Sequence, residues 1–139
     1  MHLVIDGYGA PTELLTDTEF ICSFLDDYPS SIGMTKIAPP QVHTYIGATP
    51  EDWGVSGFVL IAESHISIHT FPEHDYLNID VFSCKEFDKE AAQIFLQNHF
   101  GIRKIRSWTL DRGLEHLDPL EAAEVLTTHR SLLPPSHRG

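Results

Sequence analysis

The densest run of reactive side chains in the 139 residues is Glu63-Ser64-His65-Ile66-Ser67-Ile68-His69-Thr70, set between strongly apolar stretches. Burying unpaired polar groups costs about 1–3 kcal/mol each, so a run of this density needs a reason. One chemistry that uses these residue types is zinc binding, through His65, His69 and the nearby His74. On a strand, a four-residue interval separates two side chains by roughly 13 Å at about 3.3 Å per residue, while zinc ligands lie about 2 Å from the metal. No metal is expected. A second is serine hydrolysis by Ser64, His69 and Asp80. The chain lacks Gly-x-Ser-x-Gly, which weakens that reading without removing it, because triads are defined by geometry and not by one motif.

The third reading comes from three words. Gly54-Val55-Ser56-Gly57, then Glu63-Ser64-His65-Ile66-Ser67-Ile68-His69-Thr70-Phe71-Pro72-Glu73, then Ile79-Asp80-Val81-Phe82-Ser83-Cys84 closely resemble the signature of the S-adenosylmethionine decarboxylase proenzymes of the bacterial and archaeal type. They occur in that family's order and spacing, and weaker similarity, including Asp111-Arg112-Gly113, extends over roughly residues 2–113. The resemblance implies that the Ser64 hydroxyl attacks the carbonyl of Glu63 and turns the peptide into an ester. Elimination then breaks the chain into residues 1–63 and 64–139, and residue 64 loses ammonia to become a pyruvoyl group. Its carbonyl would form a Schiff base with the substrate amine and accept the electrons released with CO₂, which no standard side chain can do.

Carried over residue by residue, the resemblance gives His69 a proton-transfer role in self-cleavage and lets Ser56 help to orient the scissile ester. Cys84 would reprotonate the substrate α-carbon. A thiol suits this role, because its reference pKa of about 8.5 keeps a neutral donor available near physiological pH. Glu73 would bind ribose hydroxyls and Phe71 would stack on adenine, where many relatives have Trp. Taken singly, Cys84 and Phe71 read as core residues and Ser56 as a turn residue; only the joint pattern gives them function, Ser64 and His69 most of all. His65 is assigned no part in the reaction. The chain departs from the family at Ala48-Thr49-Pro50-Glu51-Asp52-Trp53, where many relatives carry an aromatic that sandwiches the adenine; Trp53 is the residue at hand to replace it.

The resemblance therefore implies a decarboxylase of S-adenosylmethionine, supplying the aminopropyl donor for spermidine synthesis. Relatives that act on arginine or ornithine make the nearest alternative. A ligand-binding regulatory module that kept the fold and never cleaves is the alternative from another class.

These residues need a scaffold. Residues 2–6 read as a short strand, ended by Gly7 and Gly9. Thr16-Asp17-Thr18-Glu19 has capping-box spacing, and Phe20, Ile21, Phe24, Leu25 and Tyr28 recur at helical intervals up to Pro29, which is expected to end the helix. Residues 42–46 and 58–62 read as strands, with 49–54 as a connecting loop, and Ile66 and Ile68 continue in period two. Leu77, Ile79 and Val81 form a further strand. Asp88 caps a second helix closed by Gly101, and residues 102–110 make the last strand. The expected fold is α+β, a two-layer sandwich of a mainly antiparallel sheet covered on one face by two helices, in the order β-α-β-β-β-α-β. The catalytic domain is expected to span 1–117, with a short helix and a frayed tail over 118–139. An uncovered apolar sheet face calls for a partner, here a homodimer of cleaved αβ protomers.

Length and composition fit a single core, with 42% hydrophobic and 21% charged residues and no apolar run of about 20 that would span a bilayer. The N-terminus lacks a secretory pattern and there are only two cysteines, Cys22 and Cys84, so a cytoplasmic protein with free thiols is expected. A net charge of −11 disfavours nucleic acid and suits a cationic amino-acid substrate, although acidity also serves solubility alone.

Overall fold

The structure is a computed structural model, and it describes residues 1–112. Alternation of apolar and polar residues makes β1 (His2–Tyr8), where Leu3 and Ile5 are buried between half-exposed neighbours. The same period-two logic makes β3 (Trp53–Ile61), β4 (Ser64–Phe71) and β5 (Tyr76–Phe82), while β2 (Gln41–Ile46) and β6 (Lys104–Leu110) are largely exposed strands. They form one six-stranded sheet in the order β2-β3-β4-β5-β1-β6, every neighbouring pair antiparallel.

Three helices accompany the sheet: α1 (Thr12–Leu15), α2 (Thr18–Ser31) and α3 (Lys89–Phe100). α2 lies over β2 and β3, and α3 over β1. From α2 come the buried Ile21, Phe24, Leu25 and Tyr28, from α3 Ala92, Leu96 and Phe100, and the Phe100 ring meets Phe20 and Phe24 edge-on. Together with Ile66, Ile68, Leu77, Ile79 and Val81 they make one core, each fully buried Ile or Leu contributing about 1.5–3 kcal/mol. The expected α+β sandwich is the fold observed.

Local details differ from the sequence reading. Four strands, not three, stand between the two long helices, because a turn at Ala62 and Glu63 divides the 58–68 stretch into two hairpin strands. Asp17, not Thr16, caps α2, its carboxylate accepting the Phe20 N–H at 3.0 Å, while Thr16 closes the short α1. Pro29 sits inside the last turn, and the helix ends two residues beyond it, at Ser31. Trp53 and Gly54 belong to β3 and not to a loop. An added Cβ at Gly54 would lie 1.9 Å from the Thr70 carbonyl oxygen, so this glycine serves close strand approach and not a turn. Asp88 and Gly101 cap α3 as the sequence requires, with Gly101 at φ 65°. The boundary expected after residue 117 and the segment 118–139 lie outside the described residues.

The helices cover one face of the sheet. On the other face, register sets Ser56, His69, Asn78, Asp6 and Arg106 in one row across the strands, and Leu60, His65, Phe82, His2 and Leu110 in another. This face exposes Phe58, Leu60, Phe71, Trp108 and Leu110, each between 37% and 42% accessible.

Candidate active site

The β3–β4 turn places a left-handed residue directly before the reactive serine. Glu63 has φ 65°, in the left-handed region, which costs a residue with a Cβ about 1–2 kcal/mol. Ser64 follows at once, buried, at the start of β4 and on the helix-covered face with Ile66 and Ile68. Its Oγ accepts the backbone N–H of Cys84 at 2.8 Å, and the Cys84 Sγ lies 3.9 Å from the Ala62 carbonyl oxygen. The left-handed Glu63, the hydroxyl that follows it and an exposed free thiol thus share one corner of the sheet.

Ser56 and His69 form a second group. They are paired across β3 and β4 on the open face, and the Ser56 Oγ lies 2.8 Å from the His69 Nδ1. If Nδ1 donates to the hydroxyl, Nε2 is left with a lone pair for a proton; with the opposite tautomer Nε2 is a donor. Either way the serine fixes the ring. His69 is separated from Ser64 by five residues of β4, roughly 16 Å at about 3.3 Å per residue, and by the change of face that an odd interval imposes. One chain does not bring His69 to Ser64. Nor does it assemble a Ser64, His69 and Asp80 triad, since register places Asp80 opposite Ser67 and His69 opposite Asn78.

Phe71 ends β4, and Glu73 lies in the single 3₁₀ turn Pro72–His74 beyond it. Phe71 is seven residues from Ser64, roughly 23 Å at the strand rise of about 3.3 Å. Its ring packs on Tyr76 at 5.1 Å between centroids. The Glu73 Oε1 accepts the Trp53 indole N–H at 2.9 Å. Among the sequence-derived residues, then, Glu63, Ser64 and Cys84 stand at one end of the sheet, and Ser56, His69, Phe71 and Glu73 towards the other.

Three features escaped the sequence. The Cys84 main chain, and not its thiol, binds the Ser64 hydroxyl; a sequence carries no trace of which group of a residue is used. Thr70 is a buried tie, its Oγ1 receiving the Val55 N–H at 2.9 Å and donating to the Leu15 carbonyl at 2.8 Å. The link between Trp53 and Glu73 joins residues twenty apart and becomes visible only once β3 and β4 are paired. His65, assigned no role, lies against Phe82 with ring centroids 5.4 Å apart. No group of three or more His, Cys, Asp or Glu able to hold a metal occurs among the described residues.

Comparison with known proteins gives concordant results. Residues 1–113 match the family model described as S-adenosylmethionine decarboxylase. The chain is similar to the S-adenosylmethionine decarboxylase proenzyme of Archaeoglobus fulgidus, at 36% identity over 114 residues, covering 81% of this chain and 96% of that one. It is 33% identical over 121 residues to the proenzyme of the same name from a Geobacillus species, covering 87% and 93%. Its fold is similar to the crystal structure of the adenosylmethionine decarboxylase of Aquifex aeolicus, with a TM-score of 0.68 and 28% identity over 81% of this chain and 88% of that one.

Proposed function

This chain belongs to the S-adenosylmethionine decarboxylase family, and from that membership we propose that it is a self-processing, pyruvoyl-dependent decarboxylase of S-adenosylmethionine, cut between Glu63 and Ser64. The observation that carries the proposal is the left-handed Glu63 followed by a Ser64 hydroxyl held by the Cys84 main chain. Attack of Oγ on the Glu63 carbonyl forms the C–O bond as the C–N bond breaks. Loss of the Ser64 α-proton then expels the Glu63 carboxylate and leaves a dehydroalanine, whose imine tautomer takes up water and releases ammonia to give the pyruvoyl carbonyl. The residues present fit a pyruvoyl group at position 64: once formed, it supplies an electron-accepting carbonyl for decarboxylation. The Cys84 thiol, exposed at the same corner, is available to return a proton to the substrate α-carbon.

His69 and Ser56 handle the processing proton, and Phe71 and Glu73 bind adenine and ribose. Because these four lie far from Ser64 within one chain, the complete site is formed between two copies. The exposed apolar side chains of the open face are the surface on which a second copy packs. A twofold axis that sets the two sheets' strands in opposing directions would bring the Glu63–Ser64 turn, at the end of one sheet, to the Ser56 and His69 end of the other, reached around the strand end because the Ser64 side chain starts on the helix-covered face. The working form is a homodimer of cleaved αβ protomers. Both cysteines are unpaired, which fits a reducing cytoplasm.

Denaturing mass spectrometry of fresh protein, followed by CO₂ release from S-adenosylmethionine, arginine and ornithine by the same sample, tests this function. Two chains, the second blocked at its N-terminus, and preference for the nucleoside substrate are expected. Persistent intact chain would refute processing. Faster release from arginine or ornithine would overturn the substrate and leave the pyruvoyl chemistry in place.

A further inference from the structure

Trp53 stands where an aromatic sandwich of the adenine would be sought, but its geometry serves another purpose. The paired register of β3 and β4 ends at Ser56 and His69, and beyond it the Val55 N–H is taken by the Thr70 side chain. Trp53 lies beyond that register at the start of β3, and the Phe71 ring packs on Tyr76 and not on the indole. Its indole N–H is committed instead to the Glu73 carboxylate at 2.9 Å. We propose that Trp53 is a positioning residue: it holds the Glu73 carboxylate in the orientation that receives the ribose hydroxyls of the substrate. The inference rests on the reading of Glu73 as the ribose ligand.

Both ends of the link are anchored. Gly54 lies against the Thr70 carbonyl, Val55 donates to the Thr70 hydroxyl, and that hydroxyl is tied to the Leu15 carbonyl. Pro72, next to Glu73, is buried. The stems of Trp53 and Glu73 are therefore fixed relative to each other, and the half-buried indole forms a rigid arm reaching an otherwise exposed carboxylate. A free glutamate side chain loses rotamer freedom when it binds; one already held by an N–H has less to lose. The indole is a donor only and uses one lone pair of Oε1, so Oε2 and the remaining lone pair stay open to two hydroxyls.

The test compares Trp53→Phe, Trp53→His and Glu73→Gln in the processed enzyme, with thermal midpoints recorded for each. Trp53→Phe is expected to raise KM for S-adenosylmethionine about fivefold with kcat within about twofold, the pattern of lost uniform binding. Trp53→His, which keeps a ring N–H, should recover most of that loss. With a 2′,3′-dideoxyribose analogue of the substrate, the wild-type and Trp53→Phe proteins should no longer differ, a result that general loosening of the turn would not give. If Glu73→Gln raises KM while Trp53→Phe does not, or if Trp53→His is as impaired as Trp53→Phe, the role given to Trp53 is wrong and the Glu73 reading stands. If Glu73→Gln leaves KM unchanged, the Glu73 reading falls, and the proposal with it.

Discussion

The hydroxyl of Ser64 is held by the main chain of Cys84, at 2.8 Å from its N–H, and not by the Cys84 thiol. The two contributions of Cys84 can therefore be separated. Cys84→Ala keeps the N–H, so it should still be cleaved at close to the parent extent, while decarboxylation falls by about 10²–10⁴, the usual worth of a general acid. Ser64→Ala removes the attacking atom and should abolish both. Intact mass and CO₂ release on the same samples check this; a Cys84→Ala protein that turns over at the parent rate would remove the thiol from the reaction.

The proposed formation of the site between two copies predicts complementation. A Ser64→Ala chain retains His69, and a His69→Ala chain retains Ser64, so in a mixed dimer one complete site exists. Co-expressed with Ser64→Ala, the His69→Ala chain should be cut to as much as the fraction present in mixed dimers, whereas alone it should stay intact. Mass spectrometry distinguishes the two chains directly. If the His69→Ala chain stays whole in isolated mixed dimers, His69 is not supplied by the partner.

The sequence exposes the parts of this molecule that follow from period and composition. Leu3 and Ile5, and Leu77, Ile79 and Val81, announce half-buried strands, and Asp88 and Gly101 announce the ends of a helix, because each depends on its near neighbours alone. The hairpin turn at Glu63 was hidden, since neither Ala62 nor Glu63 is a turn former, and the apolar run reads straight through it. Gly54 misled in the other direction: a glycine that lets a carbonyl approach looks, in a sequence, like one that turns the chain. The three motif words supplied Ser56, Ser64, His69 and Cys84, but not their division between two ends of the sheet, which depends on register and on counting faces along β4.

His99 gives a pH prediction. Its ring is stacked between Phe20 and Phe95, with centroids at 4.7 and 5.1 Å, and burial lowers its pKa from the ordinary 6.5. Between that lowered value and 6.5 the unfolded chain binds more protons at this position than the native one, so native stability falls as pH drops through this window and is unaffected by His99 above it. His99→Phe keeps a ring in the stack and removes the titration. Urea midpoints at pH 7.5 and pH 5 should therefore differ less for the variant than for the parent; an equal difference would mean that other groups carry the acid sensitivity.

The backbone of Glu63 is a source of driving force that substitution can test. At φ 65° it occupies a conformation that glycine adopts freely and that costs a side-chain-bearing residue about 1–2 kcal/mol. In the proposed processing the attack of Ser64 consumes the peptide that follows this residue, so any part of that strain released on reaching the transition state speeds cleavage. Glu63→Gly keeps the turn but removes the strain, and the chain should fold with Ser64 still bound to the Cys84 N–H. If all the strain were released, processing would slow by about 5–30-fold, the rate equivalent of about 1–2 kcal/mol. The time course of intact-chain loss after translation in vitro measures this, with Glu63→Gln as the control that changes the charge and keeps the strain. Slowing in Glu63→Gly but not in Glu63→Gln is the expected result. Equal slowing in both would assign the effect to the carboxylate, and no slowing in Glu63→Gly would mean that the strain persists into the transition state and contributes nothing to the rate.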